Sequence, residues 1–157
     1  MTPAHVEVER SIRNAMGNNP QNGSVFFASG FLYNPMRNEI LLHLRDGNTT
    51  VNPHMWGFFG GSSEDGESAK ECCIREWHEE LGILVQESDL IPLCDYLNTE
   101  RNTWRYVFYM ESDMPKEQMT LGEGADFDWI ALEKVFEYNL TDKTRRDLQY
   151  FIKLIKK

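Results

Sequence analysis

The chain has 157 residues, a length that suits one domain able to bury roughly 70% of its unfolded surface. A hydrophobic fraction of 41% with 12% aromatic residues is typical of a globular protein and excludes a disordered one. The formal net charge of −9 argues against a protein that coats nucleic acid, which would carry a basic face. An acidic chain also needs cations if it is to bind a polyphosphate.

Three features bear on the cellular location. The cysteines, Cys72, Cys73 and Cys94, form no C-x-x-C pair, so neither a disulfide framework nor a zinc site is indicated. The sequence shows no signal-peptide pattern, and no apolar run approaches the 18 residues of a membrane span. We therefore expect a cytoplasmic protein with no membrane partner.

The first segment predicts a short amphipathic helix over residues 3–16, with Gly17 as its stop. We interpret residues 1–20 as a helical extension that packs on a single domain spanning residues 21–157. Alternating apolar residues and turn signals then predict six strands. These strands are expected at residues 24–33, 39–45, 56–59, 91–98, 103–110 and 127–131.

Two further helices are predicted, one over residues 67–81 and one after Thr141. The first has an apolar residue every four positions, which forms a stripe for docking. Strands interleaved with two or three helices indicate a layered α/β or α+β domain.

The helix at 67–81 is acidic along one part of its surface. Glu76 and Glu80 lie one turn apart, with Glu79 beside them. Like charges at this spacing destabilise a helix by a few tenths of a kcal/mol per pair, and a hard divalent cation such as Mg²⁺ would relieve the repulsion. Taken alone, an acidic helix is more often a solvated face. A metal site is favoured instead by the flanking glycines, Gly60-Gly61 and Gly82, and by the intervals of five residues before Glu67 and seven residues before Arg75.

The spacing of the fixed residues in this segment carries a family resemblance. The positions concerned are Gly61, Glu67, Arg75, Glu76, Glu79, Glu80 and Gly82, followed by the apolar Ile83. This pattern resembles the Nudix box, G-x5-E-x7-R-E-U-x-E-E-x-G-U, where U is an apolar residue, and all seven fixed positions match. Trp77 departs only in size, since it fills an apolar position where the family commonly has a smaller residue.

The resemblance covers roughly residues 24–156 and implies a Nudix-type α/β/α sandwich with a mixed central sheet. It also implies an enzyme that hydrolyses a diphosphate linked to a group X and needs Mg²⁺, for which Mn²⁺ can substitute. Glu76, Glu79 and Glu80 become the expected metal ligands, together with the backbone carbonyl of Gly60. Arg75 is expected to hold a glutamate by paired hydrogen bonds.

Glu123 lies between two glycines in a predicted loop, where related enzymes often place a carboxylate that serves as an extra metal ligand or as the base. An ordinary loop glutamate is an equal alternative. Either Glu123 or a box glutamate would deprotonate the attacking water, and the sequence leaves this choice open.

The segment before the box resembles the family's R…W-x-x-P-G-G approach, with Phe59 where proline is common. Arg45 is a candidate contact for a substrate phosphate, and Trp56 and Phe58 are candidates for stacking on a base, a contact worth roughly 1 to 3 kcal/mol. The alternatives are a surface ion pair for Arg45 and a place in a strand core for the two aromatic residues.

The expected substrate is a small-molecule nucleotide: a nucleoside triphosphate, oxidised forms included, or a nucleotide sugar. Asn98 stands where the ADP-ribose group tends to have proline, and residues 99–101 lack the tyrosine of dinucleoside polyphosphate hydrolases, so both substrates are disfavoured. The alternative function is a non-catalytic nucleotide sensor, although such modules usually lose box glutamates. A nucleic-acid partner is not expected, and the aromatic strand at 104–109 leaves a homodimer open.

Overall fold

The computed structural model describes residues 24–48 and 52–156, so the helix predicted at residues 3–16 lies outside the described residues. The described chain forms seven strands, two α-helices and three short 3₁₀ turns. In chain order they are β1 (Phe27–Asn34), β2 (Glu39–Leu44), β3 (Trp56–Gly57), β4 (Phe59–Ser62), α1 (Ala69–Leu81), the turn Glu87–Asp89, β5 (Ile91–Asn98), β6 (Thr103–Glu111), the turn Lys116–Gln118, β7 (Asp126–Ala131), the turn Val135–Glu137 and α2 (Asp142–Ile155).

All seven strands belong to one mixed sheet with the order β3-β2-β1-β6-β5, in which β4 also pairs with β1 and β7 with β2. The central pair β1–β6 is parallel and the other pairs are antiparallel. The mixed central sheet expected from the family resemblance is therefore confirmed.

One helix covers each face of the sheet. Helix α1 packs through Cys73, Trp77 and Leu81 against strand residues such as Ala28, Leu32 and Leu41, which form one core. Helix α2 packs through Leu148 and Phe151 into a second core on the opposite face of the sheet. Alternation along the strands separates the two cores, because successive side chains point to opposite faces. The α/β/α sandwich is thus confirmed. Neither described helix has the length and apolar composition needed to cross a membrane.

The strand predicted at residues 56–59 is two strands in the structure. Residues Trp56–Gly57 pair with β2, whereas Phe59–Ser62 pair with β1. The chain changes its partner strand at Phe58, which the run of aromatic residues does not reveal. This change brings Gly60 and Gly61 alongside the central strand and directs the chain into α1.

Candidate active site

Helix α1 is held at both ends by local hydrogen bonds. Ser68 Oγ accepts a hydrogen bond from the Glu71 backbone N–H at 3.1 Å, and Glu71 Oε1 accepts one from the Ser68 N–H at 2.8 Å, which together form a capping box. Gly82 ends the helix in the left-handed region, at a φ of 69°. These caps fix where the helix begins and ends, and therefore which way its glutamates face.

Trp77 fixes α1 against the sheet. Its side chain is fully buried, and its Nε1 donates a hydrogen bond to the backbone carbonyl of Phe59 at 3.0 Å. The ring is accommodated beside Gly30, where an added Cβ would lie 3.0 Å from Trp77 Cζ2. The large residue in the box thus ties α1 to β4, the strand that carries Gly60.

Glu80 is the most buried of the acidic residues on α1, with 3% of its surface exposed. Its Oε1 accepts a hydrogen bond from the Gly60 N–H at 2.9 Å. Burial, and then the charges of Glu76 and Glu123, raise the pKa of Glu80 to about 9. The carboxyl group therefore lies in a place where its negative charge is unfavourable until a cation offsets it.

Glu76 lies one turn before Glu80 and is partly buried. Burial is the main cause that raises the pKa of Glu76, although Arg75 Nη1 donates to its Oε1 at 3.1 Å and opposes the shift. A Cβ added to Gly61 would lie 2.4 Å from Glu76 Oε1. The absence of a side chain at Gly61 therefore leaves the space that the Glu76 carboxylate occupies.

Glu123 lies on a loop that docks on the end of α1. The Gly122 N–H donates to the Glu80 carbonyl at 2.8 Å, and a Cβ on Gly122 would come within 1.9 Å of the Glu79 carbonyl oxygen. The side chain of Glu123 is exposed, and its charge contributes to the raised pKa of both Glu76 and Glu80. The structure thus brings Glu123 to the box glutamates.

His43 is a residue of this site that the sequence reasoning missed. Its Nε2 donates to the Glu123 backbone carbonyl at 2.7 Å, and its Nδ1 lies 3.5 Å from Glu80 Oε2. Burial lowers the pKa of His43, so a neutral ring faces Glu80. The available signal was a histidine within the apolar strand 39–44, because a polar side chain that is buried there requires hydrogen-bond partners for its nitrogens.

Arg75 joins the start of the box to its glutamates. Its Nε and Nη2 donate to the two oxygens of Glu67 at 2.7 and 3.1 Å, and Nη2 also donates to the Ser62 carbonyl at 3.0 Å. Its Nη1 donates to Glu79 at 3.3 Å as well as to Glu76. These bonds raise the pKa of Arg75 further above its ordinary range. Glu79 is exposed and lies on the same side of α1 as Arg75, one turn further along the helix.

The donor set fits a hard divalent cation. Within residues 24–48 and 52–156, no three histidine, cysteine, aspartate or glutamate side chains converge closely enough to enclose a metal ion by themselves. Mg²⁺, however, is usually held by one or two carboxylates, and waters and substrate phosphates complete its shell. Glu76 and Glu80 provide such a pair, and burial, followed by the neighbouring carboxylates, raises the pKa of both groups, which a bound cation would oppose.

A cleft of about 350 Å³ opens on the face of the sheet that α2 covers. Ser62 lines this cleft, and its carbonyl accepts from Arg75 Nη2, so Arg75 connects the cleft to the glutamates of α1, which do not themselves line it. The lining residues come from β1, from the segment between β2 and β4, from the β5–β6 hairpin and from the start of α2. They include Phe27, Ser29, Arg45, Met55, Phe58, Asn98, Arg101, Arg105, Thr141, Lys143 and Thr144.

Of the predicted substrate contacts, Arg45 and Phe58 line the cleft. Trp56 lies beside it, with its ring packed edge-on against Tyr138 at 5.7 Å between centroids. Ser29 and Arg105 also line the cleft and were not predicted. For Arg105 the signal was its position on the same strand face as Val107 and Tyr109, where a charged residue requires a partner.

Comparisons with known proteins agree with this architecture. The NUDIX domain family model matches residues 27–154. A nucleoside triphosphatase, NudI from Escherichia coli, is 29% identical over 109 residues, which cover 63% of this chain and 77% of the relative.

Two solved structures share the fold. The MutT protein from Methanosarcina mazei Go1 superposes with a TM-score of 0.67 at 24% identity and covers 88% of this chain and 100% of its own. A bifunctional NMN adenylyltransferase/ADP ribose pyrophosphatase from Francisella tularensis, complexed with AMP and a Mn ion, has a TM-score of 0.65 at 17% identity, over 96% of this chain and 46% of its own. Because the family model spans most of the sequence, the chain belongs to the Nudix family of hydrolases.

Proposed function

We propose that this chain is a Mg²⁺-dependent pyrophosphohydrolase that acts on a nucleoside triphosphate, oxidised forms included, or on a nucleotide sugar, with Mn²⁺ as a substitute metal. The observation that carries the proposal is the buried Glu80 carboxyl, whose pKa is raised by burial and then by the charges of Glu76 and Glu123. A cleft of about 350 Å³ is connected to these glutamates through Ser62 and Arg75. Such a cleft is of the size that small-ligand sites have. The nucleoside triphosphatase NudI supports the choice of substrate class.

Glu76, Glu79, Glu80 and the backbone carbonyl of Gly60 would hold the cation. When bound, a divalent cation would neutralise phosphate oxygens and lower the pKa of a water molecule. Glu80 contributes a carboxyl whose position is fixed by the Gly60 N–H, and Arg75 keeps Glu76 and Glu79 on one side of α1. Gly61, which has no side chain, leaves room for the Glu76 carboxylate.

In the proposed reaction a water oxygen adds to one phosphorus of the diphosphate while the bridging P–O bond breaks. The bond electrons leave with the departing phosphate, and the proton of the water passes to a carboxylate. Glu123 or one of the box glutamates takes this proton. Glu123 is exposed on its loop and its backbone is fixed by His43, so its side chain is reached by solvent water. Arg45 and Phe58 would contact the phosphates and the base, and Trp56 would support this wall of the cleft.

The test is release of phosphate or pyrophosphate from nucleoside triphosphates, oxidised nucleotides and nucleotide sugars, with Mg²⁺, with Mn²⁺ and with chelator. Glu80→Gln is expected to lower kcat by about 100-fold or more, because the carboxylate that offsets the cation is lost. The matched control is Glu87→Gln, an exposed glutamate outside the site, which should leave kcat unchanged. Full activity in Glu80→Gln would refute the proposal. Nucleotide binding without turnover in the wild-type protein would favour the sensor function instead.

A further inference from the structure

The hydroxyl of Ser29, in the middle of the central strand, has no hydrogen-bond partner. Ser29 is 1% exposed, and its Oγ is buried without a donor or acceptor in the described part of the chain. Buried hydroxyl groups are nearly always hydrogen-bonded, because an unsatisfied one is costly. Ser29 lines the cleft. A ligand in the cleft is therefore in a position to supply the missing bond.

Arg105 lies on the neighbouring strand and on the same face of the sheet. The parallel register of β1 and β6 places Phe27 opposite Arg105, and Ser29 follows Phe27 by two residues. Arg105 also lines the cleft, and its guanidinium lies 5.9 Å from the ring centroid of Phe27 and 5.7 Å from that of Phe58. The arginine and the serine thus line the same cleft from neighbouring strands, and the arginine lies beside two aromatic rings.

Asp147 of α2 holds the guanidinium of Arg105 through hydrogen bonds. Its Oδ2 accepts from Arg105 Nε at 3.3 Å and from Nη2 at 3.2 Å, and its carboxylate also accepts from the Tyr96 hydroxyl at 3.0 Å. Asp147 is fully buried and Arg105 is 10% exposed, so the pair is largely shielded from solvent. Within the described residues, Nη1 of Arg105 is left without an acceptor. Arg105 can therefore offer a donor in a fixed direction.

We propose that Ser29 and Arg105 select a nucleobase that carries an exocyclic carbonyl oxygen. A guanidinium only donates, so the ligand atom that faces Arg105 has to be an acceptor, while the serine hydroxyl pairs with the next polar atom on the base edge. Adenine is the standard base without an exocyclic carbonyl: its acceptors are ring nitrogens, and its exocyclic amino group would set a donor against the Arg105 donor. This inference rests on the proposed function, because it takes the cleft as the place where the nucleotide binds.

The experiment is calorimetric binding of four nucleoside monophosphates, AMP, IMP, CMP and UMP, to the full chain without metal. AMP and IMP differ in the group at position 6, an amino group in one and a carbonyl in the other. We expect AMP to bind at least about tenfold more weakly than the tightest of the four, because buried polar groups left unpaired discriminate strongly. AMP within threefold of the tightest ligand, or no binding by any of the four, would overturn the inference.

Two serine variants separate selection from stability. Ser29→Ala should reduce the spread of affinities to about threefold or less and leave the melting temperature unchanged or higher, because the deleted hydroxyl has no partner. The matched control is Ser112→Ala, whose Oγ accepts from the Met114 N–H at 3.1 Å away from the cleft. This control should lower the melting temperature and keep the spread. An unchanged spread in Ser29→Ala would contradict the assignment of that residue.

Arg105→Lys keeps a cation facing Asp147 but removes the planar fork. We expect it to lose discrimination against AMP, and retention of the full spread would exclude Arg105 from selection. Because these measurements need no turnover, they fail separately from the proposed function. Selective binding without hydrolysis would support the base-selection inference and refute the enzyme, whereas hydrolysis with equal binding of all four would do the reverse.

Discussion

The protein contains two arginine-centred clusters that differ in hydration and in charge balance. Arg75 is 23% exposed and contacts several carboxylates, among them Glu67, Glu76 and Glu79, all within one segment of the chain. Arg105 is 10% exposed and contacts a single carboxylate, the fully buried Asp147, from a segment 42 residues away. The first cluster carries an excess of negative charge, whereas the second does not, since the charge of Arg146 also acts to lower the pKa of Asp147.

This difference divides the site into two functional ends. At the Arg75 end, the carboxylates exceed the single cation, and Glu80 close by adds another, so this end favours the binding of a further cation and of the phosphates that accompany it. At the Arg105 end, the guanidinium is paired with Asp147 and lies beside two aromatic rings, and Arg45, Arg101 and Lys143 also line the cleft. A flat group with an acceptor suits the space beside those rings.

The largest expected effect comes from breaking the buried pair. Asp147→Asn removes the charge opposite Arg105 and leaves the guanidinium buried without compensation, which we expect to lower the free energy of unfolding by about 3 to 5 kcal/mol. Urea denaturation of the purified variant measures this cost. A loss below about 1 kcal/mol would show that the pair is hydrated and that the contrast with Arg75 is wrong.

A double variant provides the control for this prediction. Arg105→Met with Asp147→Leu replaces the pair by apolar residues of similar volume, and such replacements of buried pairs are often neutral or stabilising. We expect it to recover most of the stability that Asp147→Asn loses. Nucleotide binding should still be altered, because the donor in the cleft is gone.

The same contrast explains what the sequence could reveal. The contacts of Arg75 all lie between Ser62 and Glu79, so a pattern of spacings along the chain predicts the helix, its C-terminal stop at Gly82 and the cluster of glutamates. The sandwich followed from the family resemblance and from alternation along the strands. Glu123 was a candidate because it lies between two glycines in a predicted loop, six residues before Trp129, where related enzymes often place a carboxylate.

The cleft was harder to predict because it depends on which strands become neighbours. Ser29 and Arg105 lie on neighbouring strands only because β1 pairs in parallel with β6, and the carboxylate that binds Arg105, Asp147, belongs to α2. The unsatisfied hydroxyl of Ser29 has no sequence signature at all, since a serine in a strand is ordinary. The change of partner strand at Phe58 was missed for the same reason, because it is a property of pairing and not of composition.

Asp95 is a third buried carboxyl, and among residues 24–48 and 52–156 no cation lowers its pKa. Its Oδ1 accepts from Trp104 Nε1 at 2.9 Å, and burial raises the pKa of Asp95 from 3.8 to about 6. Between these two pH values the unfolded chain releases its proton while the folded chain keeps it. Stability from this residue is therefore complete below pH 3.8 and falls as the pH rises, by about 2 to 3 kcal/mol in all.

Asp95→Asn should remove this pH dependence, because the amide keeps an acceptor for Trp104 and has no charge to desolvate. We expect the variant and the wild-type protein to have similar stability near pH 4, and the variant to be more stable by about 2 to 3 kcal/mol at pH 7. Chemical denaturation at both pH values gives the difference. A variant that is less stable at pH 7 would mean that the charge of Asp95 is compensated by a group that the structure does not place next to it.

The smallest expected effect concerns the hydrated cluster. Glu67→Gln leaves one acceptor for Arg75 but removes the charge that strengthens the 2.7 Å bond, so we expect a loss of about 1 kcal/mol at low ionic strength. At 1 M salt the screening length is about 3 Å, and the loss should fall to about half, whereas the cost of Asp147→Asn should stay the same. Glu64→Gln, at 3.6 Å from Arg75 and 67% exposed, is the matched control with almost no cost. If Glu67→Gln and Asp147→Asn lost stability with the same salt dependence, the difference in hydration between the two arginine clusters would be wrong, because both would then be open to solvent ions.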